Sequence, residues 1–266
     1  MNFKLLKSKI KSIVKYFYVK ELLFNYFRNK TRSINHNGII YNFSTPNRLC
    51  DFRVKSLLTK EPETINWIDS FTNDSVFWDI GANVGMYSVY AAKSKKCKVY
   101  SFEPSVFNLE ILARNIYLNK LTSSITIMPF AVNDLMGRGN LNMSSTDIGG
   151  ALSSYDKTYG EDGEEMKVIF SYPIFAISMD EINSNLGVSA PDYIKIDVDG
   201  IELLILNGGI NVLNTVNGLL IELSEKWYDR KLECEKILLN SGLTRVDHKY
   251  NKIKKGTSNQ IWERIN

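Results

Sequence analysis

The chain has 266 residues, of which 44% are hydrophobic and 23% are charged, as in an ordinary soluble globular protein. No run of about 18 apolar residues occurs, so the sequence predicts no membrane-spanning helix. Lysines near the N-terminus also interrupt the apolar stretch that a secretory signal needs. Three widely spaced cysteines and two histidines exclude a disulfide framework, a zinc-ligand pattern and a multi-histidine metal centre, and free thiols favour a cytoplasmic protein.

The basic charge is concentrated at the N-terminus. Residues 1–33 contain seven lysines, two arginines and one glutamate, a net charge of +8, which leaves −4 for the rest of a chain whose total is +4. We therefore predict a basic helical extension over residues 1–35, with an amphipathic helix over 3–18 and a second short helix over 20–30. The apolar face of the first helix comprises Phe3, Leu6, Ile10, Ile13, Val14 and Phe17.

Two interpretations of this extension remain open. The helix over residues 3–18 either packs on the main domain or lies on an anionic membrane surface, which would make the protein peripheral at the inner face of the membrane. A nucleic-acid enzyme more often carries its basic surface around the active site, so the charge distribution argues against DNA or RNA as the partner. The sequence favours a small-molecule or glycan substrate.

Residues 36–266 are predicted to form one α/β domain, because strands and helices alternate from Val76 onward in the manner of a parallel sheet. The predicted strands span residues 76–80, 98–104, 125–132, 192–198 and 218–223, and the predicted helices span 85–94, 106–119, 201–214 and 233–242. Residues 244–250 and 259–265 are predicted to close the sheet as an antiparallel pair. Upstream, the pattern indicates short strands around Pro46 and a helix that starts near Glu61. Residues 133–180 fit no βα unit and predict an inserted hairpin that acts as a lid.

A glycine-rich loop joins the first of these strands to its helix, in the sequence Asp79-Ile80-Gly81-Ala82-Asn83-Val84-Gly85. A loop in this position binds nucleotides through the free N–H groups of the helix N-terminus. Asn83 occupies the place of the second glycine of a dinucleotide fingerprint, where a side chain hinders a pyrophosphate. The Asp79 carboxylate would repel a phosphate and attract an amine. S-adenosylmethionine, with an adenosine end and an ammonium group but no phosphate, satisfies both observations.

The next two strands add further candidates for nucleotide contacts. Glu103 ends its strand 22 residues after Gly81, where a carboxylate accepts the ribose hydroxyls. Ala131 and Val132, at the end of the third strand, are predicted to frame the adenine.

The fourth predicted strand and the turn after it contain most of the candidate catalytic residues. Its sequence places Asp197 at the carboxyl edge of the sheet, with Lys195 on the same face two residues earlier. Asp199 and Glu202 follow at the turn into the next helix, and Glu222 ends the fifth strand beside the same edge. These carboxylates are candidates for binding substrate hydroxyls or a metal.

Together these motifs resemble the FkbM-type methyltransferases. The resemblance rests on FWDIGANVGMYSVYAA, VYSFEPSVFNLEILARNI, PFAVND and YIKIDVDGIE, and it covers residues 60–225. It implies a class I, Rossmann-like fold with a mostly parallel seven-stranded sheet and helices on both faces. It also implies O-methylation from S-adenosylmethionine, often of a sugar hydroxyl in a glycan, glycolipid or polysaccharide.

The resemblance also implies roles for individual residues. The methionine end of the cofactor would contact Asp79, Gly81, Asn83 and Gly85, while its ribose would contact Glu103. Glu63 and Thr64, in the segment KEPETINWID, would close over the methionine part. Asp199 stands where the family usually has glutamate.

Asp197 is our candidate for the general base, with Lys195 as its orienting partner. The alternative is a magnesium ion held by Asp197, Asp199 and Glu222, which would lower the hydroxyl pKa. Two rival functions use the same fold: an NAD-dependent oxidoreductase or epimerase, and a non-catalytic membrane-associated scaffold.

Overall fold

The computed structural model describes residues 3–160, 162–246 and 257–265. The helices are α1 Phe3–Arg28, α2 Arg48–Ser56, α3 Pro62–Asp69, α4 Met86–Ser94, α5 Val106–Leu118, α6 Met179–Asn185, α7 Glu202–Asn207, α8 Ile210–Leu213 and α9 Tyr228–Asn240. The strands are β1 Thr31–His36, β2 Ile39–Ser44, β3 Val76–Ile80, β4 Lys98–Phe102, β5 Ile125–Met128, β6 Ala131–Asn133, β7 Gly137–Met143, β8 Ser153–Tyr155, β9 Phe170–Ser178, β10 Tyr193–Ile196, β11 Gly218–Ser224, β12 Thr244–Arg245 and β13 Thr257–Glu263.

Seven strands form the central sheet, in the order β5-β4-β3-β10-β11-β13-β12. Its neighbours pair in parallel from β5 to β11, and β13 pairs antiparallel with both β11 and β12. The order reverses between β3 and β10, and that switch point is where open α/β sheets bind their ligands. The predicted class I methyltransferase fold and the closing antiparallel pair are confirmed. Residues 247–250 of the predicted closing strand lie outside the described residues.

The core lies on both faces of this sheet, as a parallel sheet requires. Trp78 and Ile80 pack into one buried cluster, while Phe77, which precedes them, packs into the other. Asp79 and Lys195 are register partners on the neighbouring strands β3 and β10. Because register partners point to the same face, these two polar side chains are buried together on the side that α4 covers.

The N-terminal region differs from the prediction. One helix, α1, replaces the two predicted over 3–18 and 20–30. Strand β1 then begins at Thr31, inside the predicted extension, and forms a hairpin with β2 that turns at Asn37 and Gly38 rather than at Pro46. Helix α2 was not predicted, although Asn47 accepts a hydrogen bond from the Cys50 N–H as a regular N-cap does.

The predicted insert builds a sheet of its own. Strands β6 to β9 form a four-stranded sheet in the order β6-β9-β7-β8, so the insert is larger than one hairpin. The prediction of one helix over residues 201–214 is wrong, since α7 ends before Gly208 and α8 begins after Gly209. A side chain at Gly208 would lie 2.5 Å from the Asn133 carbonyl oxygen, so this break lets the insert approach the helix closely.

Within the described residues, no helix has both the length and the apolar content that a membrane crossing requires.

Candidate active site

The glycine-rich loop runs from Gly81 to Gly85, between β3 and α4. The N–H groups of Gly81 and Ala82 both donate to the Phe102 carbonyl at 3.0 Å, which fixes the loop against β4. Gly81 has φ +83°, and a Cβ there would lie 1.9 Å from the carbonyl oxygen of Asp197. Only glycine fits this conformation and this approach, so the loop is held directly against the end of β10.

Glu103 lies immediately beside the loop. One of its carboxylate oxygens accepts from the Asn83 N–H and the other from the Ser105 N–H, each at 2.8 Å. Burial raises the pKa of Glu103 to about 7, although these N–H donors oppose the shift. The carboxylate predicted to hold the ribose is therefore placed next to the glycine-rich loop.

A small apolar cavity of about 40 Å³ opens on the other side of Gly81. Phe102, Phe130, Ala131 and Val132 form its floor. The insert closes it with Leu141, Ser153 and Tyr155. The two residues predicted to frame an adenine, Ala131 and Val132, thus line an apolar space next to the loop.

A segment of the insert crosses over the loop. The Gly150 carbonyl accepts from the Asn83 side-chain amide at 2.7 Å, and the neighbouring Gly149 carbonyl accepts from the Arg53 Nε at 2.7 Å. The Asn47 side-chain amide donates to Ile148 at 2.8 Å. Residues 148–150 therefore connect α2 to the glycine-rich loop through hydrogen bonds and cover the loop.

A larger cavity of about 210 Å³ lies between α2 and the loop. Its wall is largely apolar, and we call it the polar cavity because charged side chains also line it. Lys60, Glu61, Tyr87, Lys195 and Asp197 supply its polar wall. Glu61 is buried, and its carboxylate accepts from the Lys60 Nζ at 2.6 Å and from the Tyr87 hydroxyl at 2.8 Å. Gly81 lines this cavity as well as the apolar one, so the two spaces adjoin across the loop.

Lys195 is the centre of a buried charge cluster. Its side chain is 1% exposed, forms an ion pair with Asp197, and places Nζ 4.9 Å from the centre of the Tyr87 ring. Burial alone would lower the pKa of Lys195, but the carboxylates of Asp197, Asp79 and Glu61 outweigh it and raise the pKa. The ammonium is therefore charged at neutral pH.

Asp79 has no exposed surface. Its Oδ2 accepts from the Ser88 hydroxyl at 2.5 Å, and Ser88 accepts in turn from Ser101 at 2.7 Å. Its Oδ1 has no hydrogen-bond partner in the described part of the chain. Burial raises its pKa, opposed first by the Lys195 charge. Asp79 lines neither cavity, so its influence on the site is indirect and passes through its electrostatic contact with Lys195.

Asp197 and Glu222 share a hydrogen bond across the carboxyl edge of the sheet. Burial would raise the pKa of Asp197, but the Lys195 charge and the Glu222 hydrogen bond lower it. Burial and the Asp197 charge raise the pKa of Glu222. The two carboxyls therefore share a hydrogen bond in which Asp197 is the more acidic partner.

Other predicted residues lie elsewhere. The Asp199 carboxylate accepts from the Ser153 N–H at 3.0 Å and so anchors the insert, and Glu202 accepts from the Gly200 N–H at 2.9 Å. Glu63 accepts from the Asn259 amide at 2.9 Å, and neither it nor Thr64 lines the polar cavity, where Glu61 stands instead.

Among the residues that the structure describes, no group of three or more His, Cys, Asp and Glu side chains could hold a metal ion. The predicted magnesium alternative therefore finds no support.

The buried Glu202 gives a pH prediction. Burial raises its folded-state pKa to about 8, above the unfolded value, so the folded protein binds the extra proton between these two pKa values. The stability is therefore highest below the unfolded pKa of 4.5, and it falls as pH rises towards about 8, because the unfolded state loses this proton first. We expect Glu202→Gln to reduce the loss of unfolding free energy between pH 5 and pH 8 by roughly 1–3 kcal/mol. Urea unfolding at both pH values measures this difference in unfolding free energy.

The exposed Glu110→Gln is the matched control for this measurement. Parallel pH dependences for the wild type and Glu202→Gln would contradict the raised pKa of Glu202.

The sequence is similar to two known methyltransferases. The chain is 26% identical over 172 residues to the hexuronic acid methyltransferase AglP of Haloferax volcanii, a match that covers 65% of each chain. It is 26% identical over 151 residues to the methyltransferase sdnD of Sordaria araneosa, covering 49% of this chain and 58% of that one. The chain thus spans less than two thirds of the length of either relative.

Among solved structures, the methyltransferase FkbM from Methylobacillus flagellatus is 18% identical, with a TM-score of 0.48 over 81% of this chain and 52% of that one. The model of the Methyltransferase FkbM domain family matches residues 79–249, from Asp79 near the end of β3 to beyond β12. That match covers more than half of the sequence, and it includes the loop, Glu103, Lys195, Asp197 and Glu222. The chain belongs to the FkbM methyltransferase family.

Proposed function

We propose that the protein is an S-adenosylmethionine-dependent O-methyltransferase whose acceptor is a sugar hydroxyl. The observation that carries the proposal is the position of Gly81 between an apolar cavity and a polar cavity, directly against Asp197. A ligand with a flat apolar end and a charged end would span the loop in this way. The charged end would then come to the residues at the end of β10.

The chemistry of the donors supports this cofactor. Glu103 offers a carboxylate beside the loop for the ribose hydroxyls, and Ala131 and Val132 offer an apolar wall for the adenine. The carboxylates of Asp197 and Glu61 line the larger cavity, where they would attract a positively charged group and disfavour a pyrophosphate. When bound, the cofactor supplies an activated methyl group.

The acceptor class rests on the relative AglP, a hexuronic acid methyltransferase, and on the carboxylates at the sheet edge. Asp197 is ionised, and beside its contacts with Lys195 and Glu222 it keeps lone pairs that can accept a hydrogen bond from a sugar hydroxyl. The ion pair with Lys195 holds the Asp197 side chain in place. We propose that Asp197 orients the attacking hydroxyl and takes its proton as the oxygen becomes methylated.

Calorimetric titration tests the cofactor. We expect binding of S-adenosylhomocysteine and none of NAD, whereas the opposite result would favour an oxidoreductase or epimerase. Incubation with methyl-labelled S-adenosylmethionine and uronic-acid-containing glycans then tests the acceptor, with mass spectrometry to locate an added methyl ether. Cofactor binding without transfer to any glycan would favour the non-catalytic scaffold.

We also propose that α1 attaches the protein to an anionic membrane surface. Every described side chain from Lys15 to Arg28 is exposed, which argues against a helix packed on the domain. The exposed apolar side chains on this stretch are Tyr16, Phe17, Tyr18, Val19, Leu22, Leu23, Phe24, Tyr26 and Phe27. Such a surface, interspersed with Lys15 and Lys20, suits the interface of an anionic bilayer. The rest of the predicted apolar face, Phe3, Leu6, Ile10, Ile13 and Val14, lies outside the residues whose side chains are described.

Sedimentation with phosphatidylglycerol vesicles tests this attachment. We expect Leu23→Asp and Phe24→Asp, made together, to abolish binding to these vesicles and to leave the unfolding midpoint unchanged, because both side chains are exposed. Phe175→Asp, at an exposed phenylalanine on β9, is the matched control and should bind as the wild type does. Equal sedimentation of the α1 variant and the wild type would refute the proposal. Binding should also weaken as salt is added.

A further inference from the structure

We propose that helix α2 is a second membrane-binding element, which continues the surface of α1 and turns the mouth of the polar cavity towards an anionic bilayer. This inference rests on the proposed function, because it assumes that α1 attaches the protein to such a surface. Its consequence concerns the substrate: an acceptor carried by a lipid would reach Asp197 directly from the membrane surface.

The outer face of α2 is basic and carries one exposed aromatic ring. Arg48, Phe52 and Lys55 are exposed, and their spacing of four and three residues places them on one face of the helix. Cys50 and Val54 are buried on the other face. Phe52 is 60% exposed. An exposed aromatic ring between two cations suits the headgroup region of an anionic bilayer.

The charge of α2 favours an anionic partner. Asp51 is the one acidic residue of this helix, and it is paired with Arg32 at 2.7 Å and with Lys55 at 2.8 Å. The helix also contains the basic residues Arg48 and Arg53, so its three cations exceed its acidic residues by two. Each cation near an anionic membrane adds to the attraction.

Helix α1 ends beside α2. The Lys30 carbonyl, two residues after α1, accepts from the Thr45 N–H at 2.7 Å, and α2 begins three residues after Thr45. The Nε of Arg32 then donates to Asp51 on α2 at 2.7 Å. The four residues from the end of α1 to Arg32 span at most about 14 Å. One lipid surface is therefore within reach of both helices.

The polar cavity opens on the same surface. Among the described residues that line it, Phe52 and Lys60 alone are exposed, whereas Lys195 is 1% exposed. Phe52 belongs both to the outer face of α2 and to the rim of the cavity, so contact between α2 and lipid brings the rim to the headgroups. Asp197 lines this cavity as well.

Fluorescence quenching by spin-labelled lipid tests which surface meets the bilayer. The variant Phe52→Cys is labelled with bimane and mixed with phosphatidylglycerol vesicles that carry a doxyl group on part of their lipid chains. The three native cysteines are buried, so the label attaches at the new position. We expect this label to lose fluorescence, as a label at Phe24→Cys on α1 does, because both positions enter the interface to a depth of about 5–10 Å.

A label at Leu186→Cys is the matched control and should keep its fluorescence. Leu186 is exposed and follows α6, whose Met179 and Ile182 pack on the opposite face of the sheet from α2. Quenching at Phe24→Cys but not at Phe52→Cys would overturn the role of α2 and leave the attachment of α1 standing. Equal quenching at all three positions would also overturn it, because the protein would then have no fixed orientation. A protein that binds no vesicles would overturn both.

Sedimentation with unlabelled phosphatidylglycerol vesicles measures the contribution of charge. We expect Arg48→Gln and Lys55→Gln each to weaken vesicle binding roughly fivefold. The matched control is Lys236→Gln, which removes an exposed lysine of α9 on the opposite face of the sheet and should bind as the wild type does. Equal binding by the α2 variants and this control would contradict the proposal. Calorimetry with S-adenosylhomocysteine in the absence of vesicles tests the methyltransferase assignment separately.

Discussion

Replacing Lys195 with methionine is expected to lower the free energy of unfolding by about 3–5 kcal/mol. The lysine is buried on the face of the sheet that α4 covers, and its ammonium lies among Asp79, Asp197 and Glu61. Methionine fills a similar volume but leaves three carboxylates without their shared cation. Uncompensated buried charge is among the most destabilising changes that a single substitution produces.

The pH dependence distinguishes this cause from a packing defect. Without Lys195, protonation of Asp79 and Asp197 relieves their repulsion, so we expect the loss of stability to be smaller at pH 5 than at pH 8. Urea unfolding at the two pH values measures the difference. Lys98→Met makes the same chemical change at the exposed start of β4 and should stay within about 0.5 kcal/mol of the wild type. A loss of equal size at both pH values would indicate packing rather than charge.

The central sheet was predictable because its signals are local. Each buried strand is an apolar run, and most are followed by a helical pattern, so the strands at 76–80 and 218–223 matched the structure closely. The pairing of Lys195 with Asp197 was also predictable, since the two lie on one face at a strand end. The depth of Asp79 was not, because it depends on Ser88 in a helix that packs over the strand.

The sequence could not show which glutamate at the start of α3 lies beside the glycine-rich loop, and the reason is physical. Glu61 and Glu63 are two residues apart at the start of α3, and the sequence offers no rule for which of them faces the loop. The decision comes from packing: Tyr87 of α4 meets Glu61, while Asn259 of β13 meets Glu63. Helix α2 and the segment 148–150 of the insert depend in the same way on each other, through Asn47 and Arg53.

Replacing Asp197 with asparagine is expected to lower the turnover number by about 10²- to 10⁴-fold. Asparagine keeps the shape and one carbonyl oxygen, but it removes the negative charge and cannot take a proton. The proposed reaction places positive charge on the acceptor oxygen as its bond to the methyl group forms. That oxygen then becomes a far stronger acid, so even a carboxylate of low pKa can accept its proton late in the reaction.

The ion pair with Lys195 sets the pH range in which Asp197 works. It holds the pKa of Asp197 below the usual range, so the carboxylate is ionised at neutral and mildly acidic pH. A carboxylate with a lowered pKa stays ionised above that pKa, and its charge is lost only when the pH falls through it. We therefore expect the activity of the wild type to persist at pH 5, with no decline that can be assigned to Asp197.

Steady-state kinetics separates this role from cofactor binding. Asp197→Asn should reduce kcat far more than it weakens S-adenosylhomocysteine, because the lost interaction forms only as the methyl group is transferred. The exposed Glu110→Gln makes the same carboxylate-to-amide change on α5 and should keep full turnover. If Asp197→Asn retains more than about half of the wild-type kcat, another group accepts the proton, and its hydrogen-bonded neighbour Glu222 becomes the residue to replace next.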